Sequence, residues 1–376
     1  MGGPDLLRFH SSSPLPPEET RYRLIGAGPF VSTLLRPPAP RVDGLGQRAV
    51  WNDRKDTLTS TGVLFSAGRG TRLRPLTDSV PKAVLPMLDV PLGAFGMSQL
   101  LKICSSVIVN AASDARSVIE VELRAGMGGA FGNDKAMTIF EESPEPFGAA
   151  GTLAALRDRI GERALTWNAD TISDLDLSDL FNAHRASAAP ATVAVTPVAG
   201  NADLAIEGRW ATTFIDRRLR PEAAGARFIG AAVFERAVLE ALPDDRPLGL
   251  AESILRPLVK RGELAVFIHA GYAADVGTFP RYVGASLDLL EGRGPAPPMA
   301  WPGEILRGPG GVAYLGPGAF AAKGTLGPGA VLLAGSRVEE DARIERSVIW
   351  RGSQVGAGEK VCDAVWPWFR GSGATL

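Results

Sequence analysis

The chain predicts an α/β protein: a mainly parallel sheet covered by helices on both faces, followed by a short stack of strands built on a different repeat. Three observations carry this. Between residues 61 and about 293, short β-branched runs alternate with helical stretches. Around Pro295, Pro297, Pro298 and Pro302 that alternation stops. Beyond it Tyr314, Phe320, Leu326, Leu332, Val338 and Ile344 recur every six residues, and after a one-residue slip Ile349, Val355 and Val361 resume the spacing.

Residues 1–60 fit neither pattern. The first forty carry eight prolines, a serine run and no sustained periodicity, so they bury too little apolar surface to offset ordering entropy. They are expected to form a mobile extension. In 61–293 the strand candidates are 62–67, 106–110, 136–141, 164–167, 191–197, 210–215, 227–234 and 263–269. Helical stretches fall at 95–104, 113–125, 151–160, 175–186, 250–261 and 279–290. In such a sheet, ligands bind beyond the carboxyl ends of the strands. Residues 294–303 read as a linker and 366–376 as a tail. In 304–365 a six-residue period places one short strand on each face of a triangular coil, large residue inward. An irregular glycine- and proline-rich tail is the alternative. So few coils leave a face to be covered, by the first domain or by another subunit.

Composition excludes several classes. With 376 residues, 45% of them hydrophobic, the chain can bury a full core and has length for two domains. The formal charge of −1 implies no bulk attraction to nucleic acid or anionic lipid. Two distant cysteines, Cys104 and Cys362, suggest neither a disulfide framework nor a zinc site and fit a cytoplasmic setting. No apolar run reaches the roughly eighteen residues that span a bilayer.

The chemistry concentrates in 62–86, GVLFSAGRGTRLRPLTDSVPKAVLP. An apolar run ends at Ser66-Ala67-Gly68, and the turn Gly68-Arg69-Gly70-Thr71 has so little side chain that its amides can cradle phosphate oxygens. Arg72 and Arg74 add fixed positive charge suited to bidentate phosphate contacts. Lys82 sits between Pro81 and Pro86, which stiffen the loop. The Walker pattern is absent, and Leu73 stands where a dinucleotide fingerprint needs its third glycine. Alone, a glycine turn after a strand is equally an ordinary strand–helix turn.

GRGTRLRPLT followed by PKAVLP resembles the signature of the nucleotidyltransferases that make nucleotide sugars from a sugar 1-phosphate and a nucleoside triphosphate. The resemblance implies a Rossmann-like nucleotidyltransferase domain over 61–293 and, for 304–365, the left-handed parallel β-helix often appended to it. It also implies residue roles. Ala67, Gly68, Gly70 and Thr71 would bind the triphosphate, with Arg72 and Lys82 as catalytic cations. Residues 146–153 (PFGAAGTL) resemble the segment whose glycine turn, here Gly148 and Gly151, faces the base. Residues 164–170 (ALTWNAD) resemble a strand ending in a metal-holding aspartate, with Ala169 in place of a glycine; read alone, Asp170 is equally a helix N-cap. Residues 271–278 (GYAADVGT) resemble the second aspartate site, at Asp275, with Ala273 replacing the customary tryptophan. Asp170 and Asp275 would share Mg²⁺. Phe214-Ile215-Asp216-Arg217 resembles Phe-x-Glu-Lys, which contacts the sugar and its phosphate, although a solvated charged turn is an equal reading. The strand containing Gly230 resembles the sugar-pocket wall.

The expected activity is in-line nucleotidyl transfer with release of pyrophosphate. Within the family, the signature and trailing coil look most like the mannose-1-phosphate guanylyltransferases, using GTP and mannose 1-phosphate. Glucose-1-phosphate thymidylyl- or uridylyltransferases share nearly the same motifs. A non-catalytic nucleotide-sugar-binding regulatory subunit is a reading from another class, prompted by the altered 214–217 segment. Of the histidines, His10 and His184 read as solvated or core residues, and His269 as a pocket candidate near Asp275.

Overall fold

The computed structural model describes residues 61–128 and 137–369. The proline-rich 1–60 segment and residues 370–376 lie outside the described residues.

One nine-stranded sheet organises the first part. From one edge to the other its strands are Met137–Glu142, Ser106–Ala112, Thr61–Phe65, Arg163–Asn168, Gly225–Glu235, Ala191–Val198, Leu264–Ile268, Trp210–Phe214 and Leu204–Glu207. Side chains alternate between two cores, as period two requires. Val63, Ile108 and Ala164 face one core, while Leu64, Val107, Val109, Leu165 and Trp167 face the other. Helices cover both faces. Leu92–Ile103 packs close because Gly96 has no side chain: a Cβ there would fall 2.3 Å from the Trp167 ring.

The expectation of a mainly parallel sheet is corrected. Four adjacent pairs are parallel and four antiparallel. Gly225–Glu235 runs antiparallel between Arg163–Asn168 and Ala191–Val198 and so divides two parallel blocks. The expected strands and helices are present with shifted ends, and Phe279–Leu290 has the expected bounds. The 250–261 stretch is π-helical over Ala251–Leu255 before its α-helical turn and a half. Several short elements carried no sequence signal: the edge strand Leu204–Glu207, the hairpin of Pro86–Met87 with Val90–Pro91, and the ribbon of Thr171–Ser173 with Ala273–Asp275.

From Glu304 onward the chain forms short strands in three small sheets. After an antiparallel start (Glu304–Gly308 on Gly311–Leu315), the neighbouring strands pair in parallel. Leu332, Val338, Ile344, Ile349, Val355 and Val361 fill the interior, as their spacing predicts. Tyr314 and Phe320 do not. Leu315, not Tyr314, aligns with Leu332, and Ala321, not Phe320, aligns with Val338. Strands paired in one sheet are seventeen residues apart, not eighteen, so a strict count of six lands one residue early at the first strands and selects the oppositely directed side chains of Tyr314 and Phe320. Phe320 is exposed under the Arg337 guanidinium, 5.0 Å from its ring centre. Tyr314 instead joins Val331, Leu333, Val348, Trp350 and Val365 in the core shared with the sheet domain, which covers the open face.

Candidate functional site

The site lies beyond the carboxyl end of Thr61–Phe65. Gly70 adopts a left-handed conformation (φ 60°) and opens a single 3₁₀ turn, Thr71–Leu73. The chain then folds back, with Thr77 Oγ1 donating to Gly70 O (2.9 Å), and a Cβ on Gly70 would press within 3.2 Å of the Lys82 stem. Leu73 and Leu76 are fully buried and anchor the loop from below. Leu73 thus has a packing task where a dinucleotide fingerprint would place glycine.

Two adjoining cavities, of about 260 and 540 Å³, share Ser66, Ala67, Gly68, Lys82 and Pro146. The smaller also takes in Gly148, Asn168 and Asp170. A Cβ on Gly68 would meet nothing within 4 Å, so this turn presents bare backbone to open space. Arg69 reaches across the mouth to Glu145, and Arg74 lines the larger cavity.

Lys82, largely buried, pairs with Asp170 Oδ2. Trp167, from the strand before Asp170, is wholly buried, and its Nε1 donates to Thr171 O (3.0 Å). Gly230 (φ 85°) packs beneath the same turn, where a Cβ would fall 2.9 Å from Asn168 Cβ and Thr171 Oγ1. The turn bearing Asp170 is therefore fixed from both sides. Across the ribbon Asp275 is the register partner of Thr171, and Val276 N donates to Asp170 O (2.9 Å). The backbones that carry the two aspartates thus adjoin although more than a hundred residues separate them. Arg281 Nη1 donates to Asp275 Oδ2 (2.6 Å). The Arg72 guanidinium approaches the same spot, since a Cβ on Gly277 would be 2.9 Å from both Arg72 Nη2 and Asp275 Oδ1.

On the opposite wall, Glu142 is buried. Its Oε1 accepts from Asn110 Nδ2 (2.9 Å) and Thr152, and its Oε2 from Phe147 N (2.8 Å), while Asn110 Oδ1 accepts from Ser66 N (2.6 Å). This network joins three strands to the start of the helix Ala149–Leu156. Gly148 (φ 73°) approaches the Leu248 carbonyl so closely that a Cβ would fall 2.4 Å from its oxygen.

The structure thus gathers Ala67, Gly68, Gly148, Lys82 and Asp170 around the cavities, with Gly70, Thr71, Arg72 and Asp275 beside them. Gly151 lies inside the helix, its amide directed at Leu248 O (3.4 Å), and is not among the lining residues. Asp216 and Arg217 do not line either cavity. Asp216 Oδ1 accepts from Arg218 N (2.9 Å), and Arg217 pairs with Asp203 (2.7 Å). Three residues escaped the sequence reading of the site: Asn110, Glu142 and Arg281. Their only signals are polar atoms at the ends of apolar strands and a basic residue six positions after Asp275. Of the histidines, His184 is buried against Thr192 and Glu235, and burial lowers its pKa. His269 meets Asp174 (2.8 Å) at the far end of the ribbon, and His10 lies outside the described residues.

A family model described as nucleotidyl transferase matches residues 61–292. The chain belongs to the nucleotidyl transferase family. Over 308 residues this nucleotidyltransferase is 30% identical to the mannose-1-phosphate guanylyltransferase of Mycobacterium tuberculosis, covering 79% of this chain and 81% of that one. It is 23% identical over 334 residues to mannose-1-phosphate guanylyltransferase 1 of Arabidopsis thaliana, covering 81% and 85%. Among solved structures its fold is similar to a Bacillus anthracis protein provisionally described as a glucose-1-phosphate thymidylyltransferase (TM-score 0.53, 21% identity, 60% of this chain and 93% of that one). It is similar also to HddC from Yersinia pseudotuberculosis complexed with GMP-PN (TM-score 0.51, 17% identity, 61% and 99%). No helix among the described residues is long and apolar enough to cross a membrane.

Proposed function

We propose that this nucleotidyltransferase condenses GTP with mannose 1-phosphate to give GDP-mannose and pyrophosphate. The observation that carries the reading is Lys82 paired with Asp170 across a cavity from the bare Gly68 turn, with the ribbon bringing the strand of Asp275, and Arg281 on it, against the Asp170 turn. The 30% identity to a mannose-1-phosphate guanylyltransferase supports this choice of substrates.

A sugar-phosphate oxygen attacks the α-phosphorus, the bond from that phosphorus to the bridging oxygen breaks, and pyrophosphate leaves with the electron pair. Both reactants are anions, so alignment and charge stabilisation supply most of the rate. Amides of the 67–71 turn hold the triphosphate. Arg72 and Lys82 offset charge on the α- and β-phosphates, and Arg281 adds a cation where the second phosphate must enter. Gly148 brings backbone close to the base, backed by the Glu142–Asn110 network.

Asp170 and Asp275 fit Mg²⁺: both are hard oxygen donors, and two carboxylates leave positions for water and phosphate. Bound there, Mg²⁺ would neutralise phosphate charge. We further read the strands from 304 to 365 as a left-handed parallel β-helix. The free thiols of Cys104, pushed up to about 12 by burial, and Cys362 suit a cytoplasmic protein.

The test is pyrophosphate release across GTP, dTTP and UTP, each with mannose 1-phosphate and glucose 1-phosphate. Turnover should be greatest with GTP and mannose 1-phosphate. A preference for dTTP or UTP with glucose 1-phosphate would replace the substrate assignment, and product binding without turnover would replace the enzyme by a regulatory subunit.

A further inference from the structure

The reaction proposed above uses no residue beyond Arg281. Yet the main polar contact between the C-terminal strands and the sheet domain falls seven residues after Lys82. Asp89 turns the hairpin of Pro86–Met87 and Val90–Pro91, in a left-handed conformation (φ 62°), and is buried. Its carboxylate accepts from Ala334 N (3.1 Å), Tyr314 Oη (3.2 Å) and Arg351 Nε (3.0 Å). Arg351 Nη2 also donates to Asp89 O (3.3 Å). Gly316 makes room for the carboxylate, because a Cβ there would fall 2.3 Å from Asp89 Oδ2. Burial and then the Asp89 charge push the Tyr314 hydroxyl upward, so it stays a donor.

The path from Asp89 back to Lys82 has no slack. Ala83, Val84, Leu85, Met87 and Leu88 are all buried, and Leu92 N donates to Leu85 O (2.9 Å). On the other side of the hairpin, Tyr282 Oη donates to Pro86 O (2.6 Å), and the Tyr282 ring packs 6.4 Å from that of Trp350. Tyr282 belongs to the helix Phe279–Leu290, which begins four residues after Asp275 and carries Arg281. The C-terminal strands thus press on the two elements that carry Lys82 and Arg281.

Only the Asp89 end of the pair is buried, with about a third of the Arg351 side chain exposed, so the pair is a weak source of stability; it is still directional, because the desolvation of the carboxylate is repaid only in one geometry. We infer that the C-terminal strands fix the position of Lys82, and that Arg351, acting through Asp89, is the positioning residue. For its kinetic readout this rests on the reaction proposed above.

The experiment uses the full chain and compares Arg351→Met, Asp89→Asn and Ile344→Ala. Ile344 lies in the interior core of the strand stack, a different core from the one that holds Met87, Leu88 and Val90 of the hairpin. Arg351→Met should lower kcat about tenfold, as expected when a catalytic group is displaced by a fraction of an ångström. KM for both substrates should stay within about twofold. Asp89→Asn keeps an acceptor and should lose less, and it decides the matter if Arg351→Met does not fold. Ile344→Ala should lower the melting temperature at least as much, with kcat unchanged. Amide hydrogen exchange over residues 82–92 should quicken in Arg351→Met and not in Ile344→Ala. Unchanged kcat and exchange in folded Arg351→Met would overturn the inference, as would losses of kcat that merely follow stability across the variants. If the parent turns over no substrate, the proposed reaction fails, and the exchange comparison still decides this coupling.

Discussion

Lys82–Asp170 and Arg217–Asp203 are both cation–aspartate pairs next to sheet strands, yet of the two only the first lines the cavities described above. Glycines clear the space around the first: Gly70 lets the loop fold onto the Lys82 stem, and Gly230 lets a strand lie beneath Asn168 and Thr171. The second pair closes a gap. Asp203 Oδ2 also accepts from Phe228 N (3.0 Å), while Ile215 N donates to Asp203 O (2.7 Å), which ties the edge strands together. Burial raises the Asp203 pKa, and Arg217 opposes that rise. The difference teaches that charge type alone does not mark a candidate site pair. Open backbone beside it does.

The comparison breaks most sharply at Asp170. Asp170→Asn should lower kcat at least about a hundredfold, the loss expected when a charge-stabilising contact to a phosphoryl group is removed. Its fold, followed by circular dichroism, should be kept because the amide still offers Lys82 an oxygen acceptor, while the melting temperature should fall because the largely buried ammonium loses its anion. Near-normal turnover in the folded variant would remove both the metal assignment and the contrast drawn here.

Arg281 tests whether the cation on the second aspartate belongs with the first pair. It is half-exposed, so its ion pair contributes little to stability. Arg281→Ala should leave the melting temperature within a degree or two of the parent. The rate constant kcat/KM for the sugar phosphate should fall about tenfold through loss of one charged contact. An unchanged kcat/KM would class Arg281 with Arg217.

Much of this was legible in the sequence. Alternating apolar runs disclosed most strands and helices, because burial on both faces of a sheet imposes a period that survives without an alignment. The glycine turn and Lys82 were legible because they are contiguous in the chain. The ribbon was not: three-residue strands carry no period, and the pairing of Asp275 with Thr171 is made only in three dimensions. Asn110 and Glu142 were hidden for the same reason. Each reads as a polar strand end until its partner, thirty-two residues away, arrives. The reversed strand Gly225–Glu235 was equally invisible, since direction leaves no mark on hydropathy. Tyr314 and Phe320 show a period of six carried back past a shorter step, one residue out of register with Leu315 and Ala321.

The smallest kinetic effect is expected at Arg217. Arg217→Ala should change kcat/KM for either substrate by less than about threefold, because the side chain lies away from both cavities and holds Asp203 instead. Stability should register the change. The pair is about half-exposed at Arg217, so the loss at neutral pH should be about 1 kcal/mol, mostly the cost of leaving Asp203 without a cation. The sign with pH follows from the raised Asp203 value. The folded state holds this proton more tightly than the unfolded chain, whose carboxyl titrates near 3.8, so the charged form is the costly one. The deficit of Arg217→Ala should therefore be full at pH 7 and shrink as pH falls through the raised folded value. Melting curves from pH 7 to pH 4 read this directly. A deficit that grows on acidification, or a tenfold loss of kcat/KM for the sugar phosphate at pH 7, would move Arg217 into the site and leave the two pairs alike.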